Sequence, residues 1–124
     1  SGSSAFFDRG IVTYSNTAKI EHLNVAATTI EKFGAVSKET AKAMAEGIRH
    51  LSKTDYGISI TGIAGPSGGT DEKPVGLVFV ACSDKTETVY EQHLFANDRL
   101  GNKQRSAQAV LNLLRKQILK NNKH

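Results

Sequence analysis

The sequence has little of several residue types that define particular protein classes. Its 124 residues include one cysteine, two prolines and no tryptophan. A lone cysteine, Cys82, excludes an intrachain disulfide framework and cysteine-rich metal sites, and it fits a reducing compartment. The four histidines are scattered, with no pair at the spacing of helical metal ligands. We therefore expect no metal site and no cofactor.

Long apolar runs and dense blocks of one charge are also missing. No segment approaches the roughly 20 apolar residues of a membrane-spanning helix, so we expect no membrane partner and a cytoplasmic location. Sixteen basic and twelve acidic residues give a net charge of +4, with the two signs interspersed. This balance favours a mild attraction for anions. Because no basic residues alternate with exposed aromatics in a recognisable motif, we expect no nucleic-acid partner.

The pattern of hydrophobic residues predicts one domain over residues 1–124 with an α/β fold. Strands interleaved with helices indicate a three-layer α/β/α sandwich in which helices cover a mixed sheet. Strands are predicted at residues 6–14, 56–60, 75–82 and 86–95, the last two as a hairpin, and helices at 17–23, 25–33, 38–53 and 103–119.

Two of the predicted helices carry an apolar stripe that we expect to face the core. In the helix at 38–53, which Ser37 should cap, the stripe is Ala41, Met44, Ala45 and Ile48. In the helix at 103–119 it is Ala107, Val110, Leu111, Leu114 and Ile118.

A glycine-rich segment at residues 59–69 follows the second predicted strand. Glycine leaves backbone N–H groups uncovered, so such a turn can form an anion-binding concavity or an oxyanion hole. Thr61 and the amides from Gly62 to Gly65 are the candidate donors. A plain flexible connection between two strands is the alternative.

A lysine and two arginines are further candidates for a site. Lys19 lies five residues after Tyr14, in the first turn of a predicted helix. The positive helix end and burial would both disfavour its ammonium form and make it a competent general base, whereas an exposed surface lysine is the alternative. Arg99 and Arg105 flank the start of the last helix, where either could neutralise a phosphate. Ser3 and Ser4 are candidate ligand-contacting hydroxyls, with a simple polar turn as the alternative.

Several sequence blocks, in order along nearly the whole chain, resemble the CinA C-terminal domain family. They are Gly2-Ser3-Ser4-Ala5-Phe6-Phe7-Asp8-Arg9-Gly10, continuing through Ile11-Val12-Thr13-Tyr14-Ser15-Asn16, then Ala18-Lys19, Gly34-Ala35-Val36-Ser37, Ala43-Met44-Ala45-Glu46-Gly47, Thr61-Gly62-Ile63-Ala64-Gly65-Pro66 and Lys73-Pro74-Val75-Gly76.

The resemblance implies a PncC-type nicotinamide mononucleotide deamidase of pyridine nucleotide salvage. Such an amidohydrolase converts the carboxamide of its anionic nucleotide to nicotinate mononucleotide and ammonia without a metal. Lys19 would be the base and Tyr14 its partner, and Ser4 and Thr61 match further site positions. The family's site arginine corresponds to Arg105 or Arg99, and we favour Arg105 because it aligns with the helix proper. A homo-oligomer is also implied.

The sequence departs from the family pattern at the nucleophile. The family's serine belongs to a Glu-Ser-Cys-Thr-Gly-Gly motif in a strand and helix that precede the Gly2-Ser3-Ser4 block. We therefore expect the native protein to include an N-terminal strand-helix segment, and the 124 residues alone to be inactive. Two alternatives stay open: a non-catalytic nucleotide-binding or regulatory module, and a protein-interaction role in competence or DNA damage, which only the family's name suggests.

Overall fold

A computed structural model describes residues 27–63 and 65–122. The strand predicted at 6–14, the helix predicted at 17–23 and the candidates Ser4, Tyr14 and Lys19 lie outside these residues. The described elements are, in chain order, α1 (Ala27–Phe33), α2 (Lys38–Ser52), β1 (Gly57–Gly62), β2 (Leu77–Ser83), β3 (Thr88–Leu94) and α3 (Arg99–Asn121). None of these helices is long and apolar enough to cross a bilayer.

The three described strands form one sheet in the order β1-β2-β3. Both pairings are antiparallel, with Ile60 opposite Val80 and Ala81 opposite Tyr90. The predicted hairpin of β2 and β3 is therefore confirmed. A mixed sheet needs a parallel pairing, and none occurs among these three strands. Because the strand predicted at 6–14 lies outside the described residues, the mixed character stays a prediction.

The central strand β2 is buried along its whole length. Because side chains alternate along a strand, one set of β2 residues packs on α2 and the other on α3. Leu77, Phe79 and Ala81 meet Ala41 and Ala45 of α2, and Val78, Val80 and Cys82 meet Val110 and Leu113 of α3. The sheet thus lies between helices on both faces, which confirms the predicted α/β/α sandwich and explains why β2 is apolar without alternation.

Cys82 is a core residue, as its setting in the sequence predicts. Its side chain is fully buried, and burial, assisted by the nearby Asp84 carboxylate, raises the pKa of its thiol to about 12. A thiol with such a pKa stays protonated and unreactive at neutral pH.

Helix α2 follows its prediction closely. The Ser37 side chain accepts a hydrogen bond from the Thr40 amide at 3.1 Å and caps the helix, and all four residues of the predicted stripe are buried. Helix α1 ends at Phe33, immediately before Gly34, as predicted.

Helix α3 differs from its prediction in both extent and buried face. It begins at Arg99, four residues early, because the Asp98 side chain accepts from the Gly101 amide at 2.8 Å and caps it there. Two residues of the predicted stripe, Ala107 and Leu111, are exposed. The buried face is Asn102, Ser106, Val110, Leu113 and Gln117. Apolar periodicity missed this face because more than half of it is polar.

The polar part of this face leads to a buried carboxylate in the turn between β2 and β3. The Asp84 residue is only 6% exposed, and both oxygens of its carboxylate accept hydrogen bonds. Its Oδ1 accepts from the Thr86 amide and hydroxyl at 2.8 and 3.0 Å and from the Glu87 amide at 2.8 Å. Its Oδ2 accepts from Gln117 at 3.0 Å and from Asn121 at 2.9 Å. The carboxylate therefore ties the hairpin turn to the last turns of α3.

This hydrogen bonding determines the ionisation of Asp84. Burial alone would raise the pKa of the carboxyl, but the bonds from Asn121, Gln117 and the amides of Glu87 and Thr86 hold it well below its ordinary value of 3.8. A carboxyl whose pKa is lowered on folding stabilises the folded state above its unfolded pKa and loses that contribution as the pH falls.

We predict that Asp84→Asn lowers the free energy of unfolding at pH 7 by about 1–3 kcal/mol. The substitution replaces one carboxylate oxygen by an amide NH2 group, which cannot accept the hydrogen bonds that this oxygen accepts. The difference from the parent protein should shrink below pH 3.8, where the parent carboxyl begins to lose its contribution. Urea denaturation at pH 7 and pH 3 measures both effects.

Asp55→Asn is the matched control for this experiment. The Asp55 side chain is 79% exposed and forms an ion pair with Lys85 at 3.6 Å. Its replacement should change the free energy of unfolding by no more than about 0.5 kcal/mol. Equal effects of the two substitutions, or an Asp84→Asn deficit that is the same at both pH values, would contradict this interpretation.

Candidate functional site

The glycine-rich segment begins in β1 and continues into the long loop that connects β1 to β2, of which residues 63 and 65–76 are described. Two backbone hydrogen bonds close its base: the Ile63 amide donates to the Leu77 carbonyl at 3.0 Å, and the Gly76 amide donates to the Ile63 carbonyl at 2.6 Å. The loop is thus held at both ends by the sheet, whereas its tip, residues 66–72, is exposed.

Packing and backbone conformation already require two of the predicted site glycines. Gly65 is buried with φ +93°, and a Cβ there would lie 2.6 Å from Cγ1 of Val75. Gly62 ends β1, and a Cβ there would lie 2.8 Å from the Leu77 carbonyl oxygen. Any larger side chain at either position would move the loop against β2. Their glycine character therefore has a structural cause independent of any ligand.

The exposed tip of the loop presents unused donors. Within the described part of the chain, the amides of Ser67, Gly68 and Gly69 donate to no protein acceptor. Successive free amides in a glycine turn can bind an anion. Asp71 and Glu72 follow in the same loop with exposed side chains. The loop therefore carries negatively charged carboxylates as well as amide donors that favour an anion.

Thr61, the predicted donor, lies at the end of β1 and is 6% exposed. Its hydroxyl donates to the carbonyl of Ala35 at 2.7 Å, in the turn between α1 and α2. Since the hydroxyl proton is used there, Thr61 offers a ligand its oxygen as an acceptor. A developing oxyanion would have to be stabilised by backbone amides or by another donor.

Three successive carbonyls at the end of α1 and in the turn after it accept hydrogen bonds from side chains of the loop, of β1 and of α2 with its cap. Phe33 accepts from the ammonium of Lys73 at 2.8 Å, and Ala35 accepts from Thr61. Between them, the Gly34 carbonyl accepts from Ser37 and Thr40 at 3.0 and 2.7 Å. Sequence reasoning missed the role of Lys73, for which the block Lys73-Pro74-Val75-Gly76 was the available signal.

The two arginine candidates lie in different places. Nη1 of Arg99, at the start of α3, donates to the Gly65 carbonyl at 2.8 Å, so its guanidinium lies against the glycine-rich loop. Arg105 has no such contact and lines a groove on the side of α3 that faces His93 and Phe95. Helix alignment favoured Arg105, but the contact with the loop belongs to Arg99.

The structure thus joins Arg99 to Gly65 in the loop between β1 and β2, whereas Thr61 and Gly62 lie at the end of β1, from which that loop begins. Tyr14, Lys19 and Ser4 lie outside the described residues, so their distances to this group stay unassigned. In residues 27–63 and 65–122, no three His, Cys, Asp or Glu side chains come close enough to hold a metal ion.

Two open grooves formed by described residues lie away from this loop. One, of about 390 Å³, lies between α1, α2 and Tyr90 of β3 and has both lysines and glutamates in its walls. The other, of about 530 Å³, lies between β3 and α3 and is called here the β3–α3 groove; its walls include His93, Phe95, Arg105, Gln108, Asn112 and Arg115.

Comparison with known proteins establishes the family. The model of the CinA C-terminal domain matches residues 1–118. A CinA-like protein of Endomicrobium trichonymphae is 48% identical over 118 residues, which are 95% of this chain and 28% of that protein. A putative competence-damage inducible protein of Acetivibrio thermocellus is 47% identical over 119 residues, 96% of this chain and 29% of that protein. The chain thus spans less than a third of these relatives' length.

Solved structures agree. The competence/damage inducible protein CihA of Agrobacterium tumefaciens superposes with a TM-score of 0.82 at 37% identity, over 85% of this chain and 65% of that one. The competence damage-inducible protein A of Klebsiella pneumoniae gives a TM-score of 0.84 at 33% identity, over 89% and 68%. The chain is an α/β domain that belongs to the CinA C-terminal domain family.

We predict that Thr61→Val lowers the free energy of unfolding by about 1–3 kcal/mol, because it preserves the shape of the buried side chain but leaves the partly buried Ala35 carbonyl without its donor. Thr28→Val is the matched control, since Thr28 is exposed on α1. Chemical denaturation of both variants measures the difference. If Thr61→Val is as stable as Thr28→Val, the bond to Ala35 does not hold the turn.

Proposed function

We propose that this protein is a nicotinamide mononucleotide deamidase, an amidohydrolase that releases ammonia from a carboxamide. Membership in the CinA C-terminal domain family supports the proposal, together with the sequence blocks that resemble deamidases of that family. The structural observation that carries it is the Arg99 guanidinium held at 2.8 Å from the Gly65 carbonyl, beside a loop with exposed amides. A cation and free amides together suit a phosphate.

Arg99 supplies the anion-binding part of the proposed site. One of its N–H groups is used by Gly65, and the others remain in the planar fork that fits phosphate oxygens. The amides of Ser67, Gly68 and Gly69 add donors that need no side-chain movement. The substrate's phosphate would thus bind where α3 begins, beside Gly65.

The chemistry follows the roles implied by the family resemblance. A serine hydroxyl attacks the carboxamide carbon, and Lys19, with Tyr14 beside it, takes the hydroxyl proton. The C–N bond then breaks, and the nitrogen leaves as ammonia with that proton. Water hydrolyses the resulting ester, which regenerates the serine and gives the carboxylate of nicotinate mononucleotide. We assign the serine to the Glu-Ser-Cys-Thr-Gly-Gly segment expected in the native protein.

A non-catalytic nucleotide-binding module is the second candidate. One observation favours it: the Arg99 guanidinium and the exposed loop amides provide anion-binding groups, and binding alone needs no nucleophile. Intact mass spectrometry of the native protein separates the two candidates when joined to an activity assay. A mass of 13.4 kDa with mononucleotide binding and no ammonia would establish the module. A larger mass with turnover would establish the enzyme.

We predict that Lys19→Ala reduces ammonia release from nicotinamide mononucleotide by at least about 100-fold in the native protein, because the serine loses its base. A coupled ammonia assay measures the rate. Lys103→Ala is the control, since Lys103 is an exposed lysine of α3 and should leave the rate unchanged. Normal turnover by Lys19→Ala would remove Lys19 from the mechanism, and a parent protein without turnover would overturn the deamidase proposal.

A further inference from the structure

The β3–α3 groove arises because α3 does not cover the whole sheet. Helix α3 packs mainly over β2 and β1, so the same face of β3 is left beside it as an open floor. The ion pairs of Glu91 with Lys116 at 3.0 Å and of Glu87 with Lys120 at 2.6 Å show that α3 runs antiparallel to β3. The groove therefore extends along both elements, from the end of β3 toward its beginning.

Aromatic rings form the floor of this groove. The rings of His93 and Phe95 stack with their centroids 5.3 Å apart and their planes within 9°. Nε2 of His93 lies 3.0 Å from a carboxylate oxygen of Glu91, which orients the imidazole. Because these two rings already stack on each other, another planar ring can extend the stack from the outer face of either one.

The wall of the groove is polar and positively charged. Arg105, Gln108, Asn112 and Arg115 recur along one face of α3, and the two arginines are about 15 Å apart along its axis. Among the described residues that line the groove, none is Asp or Glu. The carboxylate of Glu91, which contacts His93 in the groove, is already paired with Lys116 and His93 at 3.0 Å each. The groove is thus complementary to an anion.

We propose that the β3–α3 groove is a second ligand site, distinct from the glycine-rich loop, and that it binds a free nucleotide. The base would stack on the outer face of the His93 or Phe95 ring, and a phosphate would pair with an arginine guanidinium. Gln108 would offer its amide to the sugar or base, and Asn112, whose Oδ1 accepts from Arg115 at 3.1 Å, would offer its N–H groups. Its volume of about 530 Å³ falls within the range of roughly 300–1,000 Å³ that small-molecule sites occupy. This inference does not depend on the deamidase activity.

Calorimetric titration of the full chain with adenosine 5′-monophosphate tests the proposal. We expect saturable binding that Arg105→Gln together with Arg115→Gln weakens about tenfold or more, because the phosphate loses its charged partners. Both side chains are exposed, so the variant should fold, which circular dichroism verifies. Lys85→Gln together with Lys103→Gln is the control, with the same change in net charge outside the groove, and should bind as the parent does.

His93→Ser separates stacking from charge. It should weaken adenosine 5′-monophosphate binding but leave the weaker binding of inorganic phosphate unchanged. Absence of saturable binding by the parent would overturn the proposal, as would equal losses in the arginine and lysine double variants. A single-stranded oligonucleotide that binds with affinity rising with its length would also overturn it, because the groove would then be a nucleic-acid surface. No ammonia is measured, so these outcomes are independent of the deamidase proposal.

Discussion

The burial of β2 between two helical layers is the constraint on which the other described elements depend. Every residue of this strand is buried, and Val80 at its centre has no exposed surface. A strand with both faces apolar must be covered twice, so α2 and α3 are held on opposite faces and β1 and β3 on opposite edges. The seven buried residues of β2 thus determine that the core lies between two helical layers.

The candidate site lies where this core ends and backbone carbonyls become available to side chains from distant segments. Lys73 reaches the Phe33 carbonyl, Thr61 the Ala35 carbonyl and Arg99 the Gly65 carbonyl. These three bonds join the turn after α1, the loop between β1 and β2, and the first turn of α3. The loop is thus positioned by hydrogen bonds between residues that are far apart in sequence. One of them holds the Arg99 guanidinium against the Gly65 carbonyl of the same loop that carries the exposed amides.

Patterns that depend on neighbouring residues were predictable from the sequence. The apolar stripe of α2, its Ser37 cap, the β2–β3 hairpin and the burial of Cys82 all follow from local periodicity or capping chemistry. The buried face of α3 was not predictable in that way, because Ser106 and Gln117 are buried through hydrogen bonds to the Asn102 carbonyl and to Asp84. Residue type suggested that these side chains would be exposed, and only the tertiary structure supplies their partners.

The same distinction applies to the site. The glycine-rich loop and Thr61 could be found by their residue types, but the choice between Arg99 and Arg105 depended on where α3 begins, which the Asp98 cap determines. The role of Lys73 required knowing that its loop returns to the end of α1. The family resemblance assigned roles to Tyr14, Lys19 and Ser4, and these assignments and the homo-oligomer stay predictions.

The central claim is that the phosphate of a mononucleotide binds at Arg99 beside the glycine-rich loop. Calorimetric titration of the parent protein and of Arg99→Gln with nicotinamide mononucleotide and with nicotinamide riboside, which lacks the phosphate, tests it most directly. The account predicts that the parent prefers the mononucleotide and that Arg99→Gln reduces this preference about tenfold or more, with little effect on the riboside. An unchanged preference in Arg99→Gln would contradict the account, because the phosphate would then bind elsewhere.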